Sequence, residues 1–194
     1  MQKLPWENLH AVLGIGAVLT LIVFLIVGHW AWLGDFSATG FWQFLFRFLH
    51  VISGVLWIGL LYYFNFVQIP SMPKIPDEQK PAIGKVIAPT ALFFFRWAAA
   101  STVLFGIIIM LFNRSWESVT ISIGMILGLI MAYNVWFVIW PNQKKALGIV
   151  DADADAKKKA ARTAMVFSRL NTMLSIPMLY CMVAQQNIAS TWDW

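Results

Sequence analysis

The sequence predicts an all-α integral membrane protein, a bundle of five transmembrane helices, and two observations support that fold class. Of the 194 residues, 60% are hydrophobic and only 12% are charged, whereas charged residues make up about 25% of an ordinary soluble domain. Apolar runs long enough to cross about 30 Å of hydrocarbon occur five times along the chain. These runs lack the alternation of a membrane barrel strand, and backbone groups in lipid must pair within their own segment, so each run is predicted to be a helix.

The five spans belong to one predicted membrane domain that takes in residues 1–194. They are expected at about residues 10–33, 42–68, 87–112, 118–140 and 162–185. The first run is too long for the apolar core of a signal peptide, so it is predicted to be retained. Prolines between residues 70 and 89 predict a surface loop after the second span, and Pro141 is predicted to end the fourth.

The lysines and arginines predict how the spans are oriented. Ten of the 14 lie in segments on one side of the predicted membrane, including the lysine-rich connection between spans four and five, and Arg114 alone lies on the other. Short loops rich in basic residues stay in the cytoplasm, so the N-terminus is predicted to be cytoplasmic and the C-terminus periplasmic. Trp136 and Trp140 are then expected at the inner interface. The net charge of +5 therefore reports topology, and no nucleic-acid partner is expected.

The second span carries polar residues along one face. At about 100° per residue, one sector of the predicted helix contains Arg47, His50, Gly54, Trp57, Leu61, Asn65 and Gln68. A polar stripe would be costly in contact with lipid, so this face is predicted to look into the bundle. Asn65 and Gln68 are expected to form hydrogen bonds to other helices, and Asn65 is also a candidate for binding a substrate.

Two of the three histidines are candidate haem ligands. His29 and His50 lie in the outer halves of neighbouring predicted spans, and two imidazoles at similar depth can ligate the iron of one haem b. Arg47, one turn from His50, would then lie near the haem propionates. The alternative is a pair of hydrogen-bonded histidines without iron. Because Cys181 is the only cysteine, a Cys-x-x-Cys-His attachment of haem c is excluded.

Three arginines are predicted to lie inside spans without an acidic partner, because all nine acidic residues fall in loops or termini. They are Arg47, Arg96 and Arg169. An uncompensated arginine near the centre of a span costs at least about 2.5–3.5 kcal/mol. Arg96, Arg169, Asn134 and Asn171 are expected at comparable depth in the inner half, where they would form a layer that binds a small anion. The alternative is a network with a purely structural role.

Two further patterns are predicted to be structural. The acidic run from Asp151 to Asp155 lacks the glycine and the final glutamate of a calcium-binding loop, so it is predicted to begin a helix. Gly124 and Gly128 have the small-xxx-small spacing that is common where membrane helices pack closely.

The intramembrane polar residues lie within longer motifs that follow one another in order. The motifs are Arg47-Phe-Leu-His50, Trp57-Ile-Gly-Leu-Leu-Tyr-Tyr-Phe-Asn65-Phe-Val-Gln68, Phe95-Arg96-Trp97, Tyr133-Asn134-Val-Trp136 with Trp140-Pro-Asn-Gln143, and Ser168-Arg169-Leu-Asn171-Thr-Met-Leu-Ser-Ile-Pro177. Over roughly residues 42–180, this series resembles the N-terminal membrane domain of bacterial membrane-bound urate oxidases. The resemblance implies a multi-pass protein of the bacterial inner membrane that passes electrons to a cytochrome c. In that family the cytochrome is a C-terminal domain, whereas a separate cytochrome subunit is expected for this chain.

A second, shorter pattern concerns His50. Leu49-His50 followed by Trp57-Ile-Gly59 and a tyrosine is similar to the haem-binding first helix of the integral-membrane protoporphyrinogen oxidases and of copper-resistance membrane proteins. This similarity covers one helix and favours His50 as a metal or haem ligand.

Three functions remain open on the sequence. The first is a haem b subunit of a membrane oxidoreductase or respiratory assembly, with other membrane subunits and a cytochrome c as partners. The second is a urate-oxidase-like enzyme that acts on a small anion at the arginine layer. The third is a structural subunit without a cofactor, in contact only with lipid and the other subunits.

Overall fold

A computed structural model of the protein describes residues 8–27, 39–113 and 115–187. These residues are largely helical and include no strand. Five of the described helices are long and apolar enough to cross a membrane: α1 (Leu9–Ile26), α2 (Gly40–Lys74), α3 (Lys80–Phe112), α4 (Val119–Ala146) and α5 (Ala154–Asn187). The prediction of an all-α protein with five membrane-spanning helices is therefore confirmed, and the chain is a multi-pass membrane protein.

The chain divides into two compact units, Met1–Phe44 and Leu45–Trp194. The first unit contains α1, which is capped by Asn8: the side-chain oxygen of Asn8 accepts a hydrogen bond from the His10 backbone N–H at 3.0 Å. No residue of α1 is buried. This helix is uncharged and exposes leucine, isoleucine and valine on all sides, so its surface is suited to contact with lipid.

The second unit has one core, to which α2, α3, α4 and α5 all contribute. Its largest fully buried side chains are Trp57, Leu61, Phe95, Met131, Val135, Ile139, Asn171 and Ser175. The ring of Phe64 meets that of Phe95 edge to face, with centroids 5.6 Å apart, and so joins α2 to α3. Helix α5 packs along α4. Polar residues sit at the centre of this core, so the site described below is built into the fold.

Three of the helices contain widened turns of the π type. These are Tyr63–Gln68 in α2, Ile83–Ile87 in α3 and Asn134–Ile139 in α4, and they end two residues before Pro70, Pro89 and Pro141 respectively. Proline has no N–H to donate, and its ring clashes with the carbonyl four residues earlier. A wider turn moves that carbonyl away, so the helix passes through the proline.

The widened turns correct two boundary predictions. The prediction that Pro141 ends the fourth span is wrong, because α4 continues as Trp140–Ala146. The prolines after the second span also leave a shorter loop than predicted, because α2 reaches Lys74 and α3 begins at Lys80. The proline rule holds for a regular α-helix, and the π turns relieve the clash on which it depends.

The connection between α4 and α5 is held by backbone hydrogen bonds and a side-chain cap. Gly148 has a φ of 72° and follows the last turn of α4. Its N–H donates to the Lys145 carbonyl at 3.1 Å, and the N–H of Ile149 donates to the Lys144 carbonyl at 2.9 Å, which is the Schellman arrangement. Asp153 then accepts a hydrogen bond from the Ala156 N–H at 2.7 Å. The predicted acidic helix start is confirmed. The end of the second unit that carries Lys144, Lys145 and Lys157–Lys159 is called the lysine-rich end below.

Candidate functional site

The imidazole of His50 is fixed between α2 and α3 by one hydrogen bond and one glycine. Its Nδ1 lies 2.8 Å from the backbone carbonyl oxygen of Thr102. The Thr102 hydroxyl donates to the Ala98 carbonyl at 2.7 Å. A Cβ placed on Gly106 would come within 3.1 Å of His50 Cε1 and 3.3 Å of Nδ1, so glycine is what leaves room for the ring.

The orientation of the His50 ring determines its chemistry. A carbonyl oxygen can only accept a hydrogen bond, so Nδ1 must carry the proton and donate it. In the neutral imidazole, Nε2 then presents a lone pair, which is the form that binds a metal. The His50 residue is half-buried. This arrangement makes His50 a suitable single ligand for an iron atom.

Aromatic rings lie one helical turn before His50 on α2. The ring of Phe46 lies 6.0 Å from that of Phe112 in a stacked arrangement and 6.2 Å from that of Phe105. Arg47, one residue later, is exposed. The histidine is therefore flanked by apolar, aromatic surface and by one guanidinium that is accessible from outside the chain.

The other predicted histidine ligand cannot be placed, because His29 lies outside the described residues. His10 is exposed at the first turn of α1. Among the described residues there is no group of three or more His, Cys, Asp or Glu side chains that could hold a metal ion.

Two hydrogen bonds join the middle of α2 to α5. Asn65 Nδ2 donates to the Ser168 hydroxyl at 2.8 Å and to the Leu61 carbonyl at 2.9 Å. The hydroxyls of Tyr62 and Ser175 are 2.9 Å apart. Asn65 Oδ1 is buried and has no hydrogen-bond partner. The prediction that Asn65 hydrogen-bonds to another helix is confirmed, and one acceptor remains open.

A pair of asparagines joins α4 to α5 in the core. Asn134 Nδ2 donates to Asn171 Oδ1 at 2.8 Å, and Asn171 Nδ2 donates to the Met131 carbonyl at 2.9 Å. The side chain of Asn171 is completely buried. The structure thus brings together two of the four residues that were predicted to form one layer, and they bond to each other.

Arg96 is buried against an aromatic ring. Its guanidinium carbon lies 3.4 Å from the centre of the Trp140 ring, and the ammonium of Lys144 lies 5.7 Å from the same ring. Only 9% of Arg96 is exposed, and its Nη1 is buried without a hydrogen-bond partner. The π face of Trp140 compensates part of the cost of burying this charge, while one strong donor is left unused.

Arg169 is placed differently from Arg96. It is exposed, although its neighbour Ser168 is buried. In the part of the chain that the structure describes, neither arginine forms a hydrogen bond to Asn134 or Asn171. The four residues therefore do not form a single hydrogen-bonded layer. Successive helical residues point about 100° apart, so equal depth along two helices did not ensure a shared face.

Several residues of this core have partners or positions that the sequence does not predict. Trp140 was expected at the membrane interface, yet it covers the guanidinium of Arg96. The predicted hydrogen bond from Gln68 to another helix is not found among the described residues, and its buried amide oxygen has no partner. The buried Nε1 of Trp57 and the amide oxygen of Gln143 have no partner either. The sequence does contain one relevant feature. Gln68 lies two residues before Pro70 and Gln143 two residues after Pro141, and widened turns next to a proline disturb regular packing.

The model of the urate oxidase N-terminal family matches residues 112–193, a segment that includes α4, α5, Trp140 and the Asn134–Asn171 pair. No curated protein and no solved structure matches the chain. His50, Arg96 and the Thr102 carbonyl lie outside the matched segment. The match confirms, over residues 112–193, the resemblance that the motifs predicted: this segment is similar to the urate oxidase N-terminal family.

Proposed function

We propose that the protein is a haem b subunit of an oxidoreductase or respiratory electron-transfer assembly in the bacterial inner membrane. In this assembly it exchanges electrons with a cytochrome c partner. The family match supports a membrane-associated subunit related to an oxidoreductase. The observation that carries the haem proposal is the hydrogen bond between His50 Nδ1 and the Thr102 carbonyl.

The residues around His50 fit an axial haem ligand. The Thr102 carbonyl holds the ring in the tautomer that presents Nε2, and such an outer hydrogen bond also makes the ligating nitrogen more basic. Gly106 admits the ring, and Phe46 provides the apolar surface that a porphyrin face requires. Arg47 is accessible and supplies a cation for a propionate. Haem, when bound, supplies a one-electron carrier, and the role of these residues is to bind and orient it.

The test is the optical spectrum of the purified protein and its variants. The native protein should show a Soret band that shifts on reduction, and His50→Ala should abolish or strongly alter it. His10→Ala replaces the exposed histidine of α1 and should leave the spectrum unchanged. If the spectrum of His50→Ala equals that of the native protein, the assignment of His50 is rejected.

A second pair of variants tests the orientation of the ring rather than its presence. Gly106→Ala places a methyl group 3.1–3.3 Å from the His50 ring and should displace it. Gly59→Ala is the matched control, because a Cβ at Gly59 has no neighbour within 4 Å. The Gly106 variant should therefore show a changed haem spectrum or haem content while the Gly59 variant does not.

The proposed exchange of electrons has its own test. Reduced protein mixed with oxidised cytochrome c should lose its reduced Soret band as the cytochrome gains its own. Protein that binds haem but shows no such exchange would reject the cytochrome partner while leaving the haem site intact.

The second candidate is an enzyme of the urate oxidase type that binds a small anionic substrate at Arg96. The buried Nη1 without a partner favours it, because a buried guanidinium donor gains most from an anion. Arg96→Gln removes the charge and keeps hydrogen bonding. This variant should lose turnover of a small anion with an added electron acceptor, and Arg169→Gln should not, since Arg169 is exposed. Equal turnover in both variants would reject Arg96 as the anion site.

A further inference from the structure

A pocket at the lysine-rich end is used by neither of the proposed sites. All four helices of the second unit line it, and its volume is about 150 Å³. An apolar cavity of about this size holds one benzene ring. Gln68 lies eighteen residues beyond His50 on α2, which is about 27 Å along a helix axis. The pocket is therefore distant from His50, Arg96 is not among its lining residues, and its volume matches a single six-membered ring.

The lining of the pocket indicates a neutral ligand. None of its lining side chains is acidic, basic or a histidine. A charged molecule would lose its hydration there without gaining a counter-charge. The rings of Phe64 and Phe95, which meet edge to face, form one wall. A flat, aromatic or quinonoid ring is well matched to such a wall.

The polar groups of the pocket lie on three helices. They are the amides of Gln68 and Gln143 and the hydroxyl of Ser168. The amide oxygens of both glutamines are buried without a donor, which is unfavourable in an apolar site. Rotation of an amide about its last bond exchanges its oxygen and nitrogen. Each glutamine can therefore offer the pocket either a hydrogen-bond acceptor or a donor.

We propose that this pocket binds the head group of a membrane quinone in both its oxidised and reduced forms. The oxidised ring carries two carbonyl acceptors, and the hydroquinone carries two hydroxyl donors, so the two states need opposite partners. Two rotatable amides satisfy either state without a change of protein charge. Ser168, whose oxygen already accepts from Asn65, has its own proton free to donate. The proposal concerns binding alone and does not depend on haem at His50.

The test is photolabelling of the purified full-length protein with an azido-benzoquinone that carries a decyl tail. Label should map to peptides that contain residues 64–69, 88–95, 143–147 or 161–168, and unlabelled decyl hydroquinone should displace it. Gln68→Leu and Gln143→Leu should each weaken labelling about tenfold. Gln79→Leu is the matched control, because Gln79 is exposed in the loop between α2 and α3. It should label as the native protein does.

A variant that fills the pocket tests the proposal independently, in case a glutamine variant fails to insert into the membrane. Ala161 lines the pocket and is exposed at its rim, so Ala161→Phe fills the space without removing a core side chain. It should lose labelling while its circular dichroism remains native. Label that maps elsewhere, or native labelling in the correctly inserted pocket variants, overturns the proposal.

Discussion

The guanidinium carbon of Arg96 lies 3.4 Å from the centre of the Trp140 ring, so α3 and α4 meet through a buried cation stacked on an aromatic face. This contact explains how an arginine is tolerated inside the bundle. The ion pair of Lys80 with Asp77 lies at the loop between α2 and α3, outside the core. The ring quadrupole of Trp140 provides the attraction that a carboxylate would otherwise provide.

Replacing the aromatic ring should therefore destabilise the protein. Trp140→Leu keeps an apolar side chain but removes the π face, and we expect a loss of about 2 kcal/mol in the free energy of unfolding. Denaturant unfolding in detergent micelles measures it. Lys144→Gln removes the more distant cation of the same ring, at 5.7 Å, and should cost less than about 0.5 kcal/mol. An equal loss in the two variants would show that the stacking of Arg96 has no special role.

The bond between Asn134 and Asn171 predicts a non-additive pair of substitutions. Asn171→Leu leaves the Asn134 amide unpaired in the core and should cost about 1–3 kcal/mol of unfolding free energy. Asn134→Leu with Asn171→Leu removes both partners and should cost less than the sum of the single changes. Asn187→Leu, at the exposed end of α5, is the control and should be nearly neutral. Strict additivity in the pair would contradict a direct interaction.

The two glycines of the predicted packing motif should respond differently. A Cβ on Gly124 would lie 2.9 Å from the Cβ of Cys181, whereas one on Gly128 would have no neighbour within 4 Å. Gly124→Ala should therefore separate α4 from α5 and cost about 1–3 kcal/mol, while Gly128→Ala should be neutral or stabilising. Adding Cys181→Gly removes the clashing atom and should restore part of the loss. Equal stability of the two alanine variants would contradict this contact.

The loop between α2 and α3 predicts a pH dependence. The hydrogen bond from the Lys80 ammonium, with its charge, holds the pKa of the exposed Asp77 carboxyl below its usual value. Because the Asp77 pKa is lower in the folded state than in the unfolded state, the contact stabilises the folded protein at pH values above the unfolded pKa. This stabilisation is lost as the pH falls through the folded pKa. Lys80→Gln should raise the Asp77 pKa towards its ordinary value, as should high salt.

Carbon NMR of labelled aspartate side chains measures this shift. Lys85→Gln is the control and should leave the Asp77 titration unchanged. A lowered Asp77 pKa that persists in the Lys80 variant would contradict the assignment to Lys80.

The count of basic residues predicts the orientation of the helices. A periplasm-dependent phosphatase fused after Trp194 should be active, and one inserted after Ile149, between α4 and α5, should be inactive. The opposite pattern would place the lysine-rich end in the periplasm and contradict the positive-inside prediction.

The sequence was sufficient to predict the helices and the buried stripe of α2. Hydropathy and length determine which segments can span lipid, and the cost of polar groups in lipid determines which face turns inward. The structure buries Trp57, Leu61 and Asn65 on the predicted face, while Arg47 at its end is exposed.

The pairing of residues across helices could not be predicted in the same way. It depends on how far each helix is rotated about its axis, and the widened turns change that rotation along α2, α3 and α4. Arg169 was expected beside Arg96 because the two have comparable depth, yet it is exposed. The partner of Arg96 is instead Trp140, which follows the π segment Asn134–Ile139 directly.

The π segments before the prolines also determine the direction in which the residues that follow them point. These residues form part of the lysine-rich end. A π turn takes up about one residue more than an α turn, and one residue corresponds to about 100° of rotation. In α4, the π segment that ends at Ile139 therefore turns the following residues, including Trp140 and Gln143, by about 100° compared with a regular α-helix. If Pro141 were replaced and the turn closed to a regular α-helix, that end would swing to another side of the bundle. Trp140 would then leave Arg96, and Gln143 would leave the pocket.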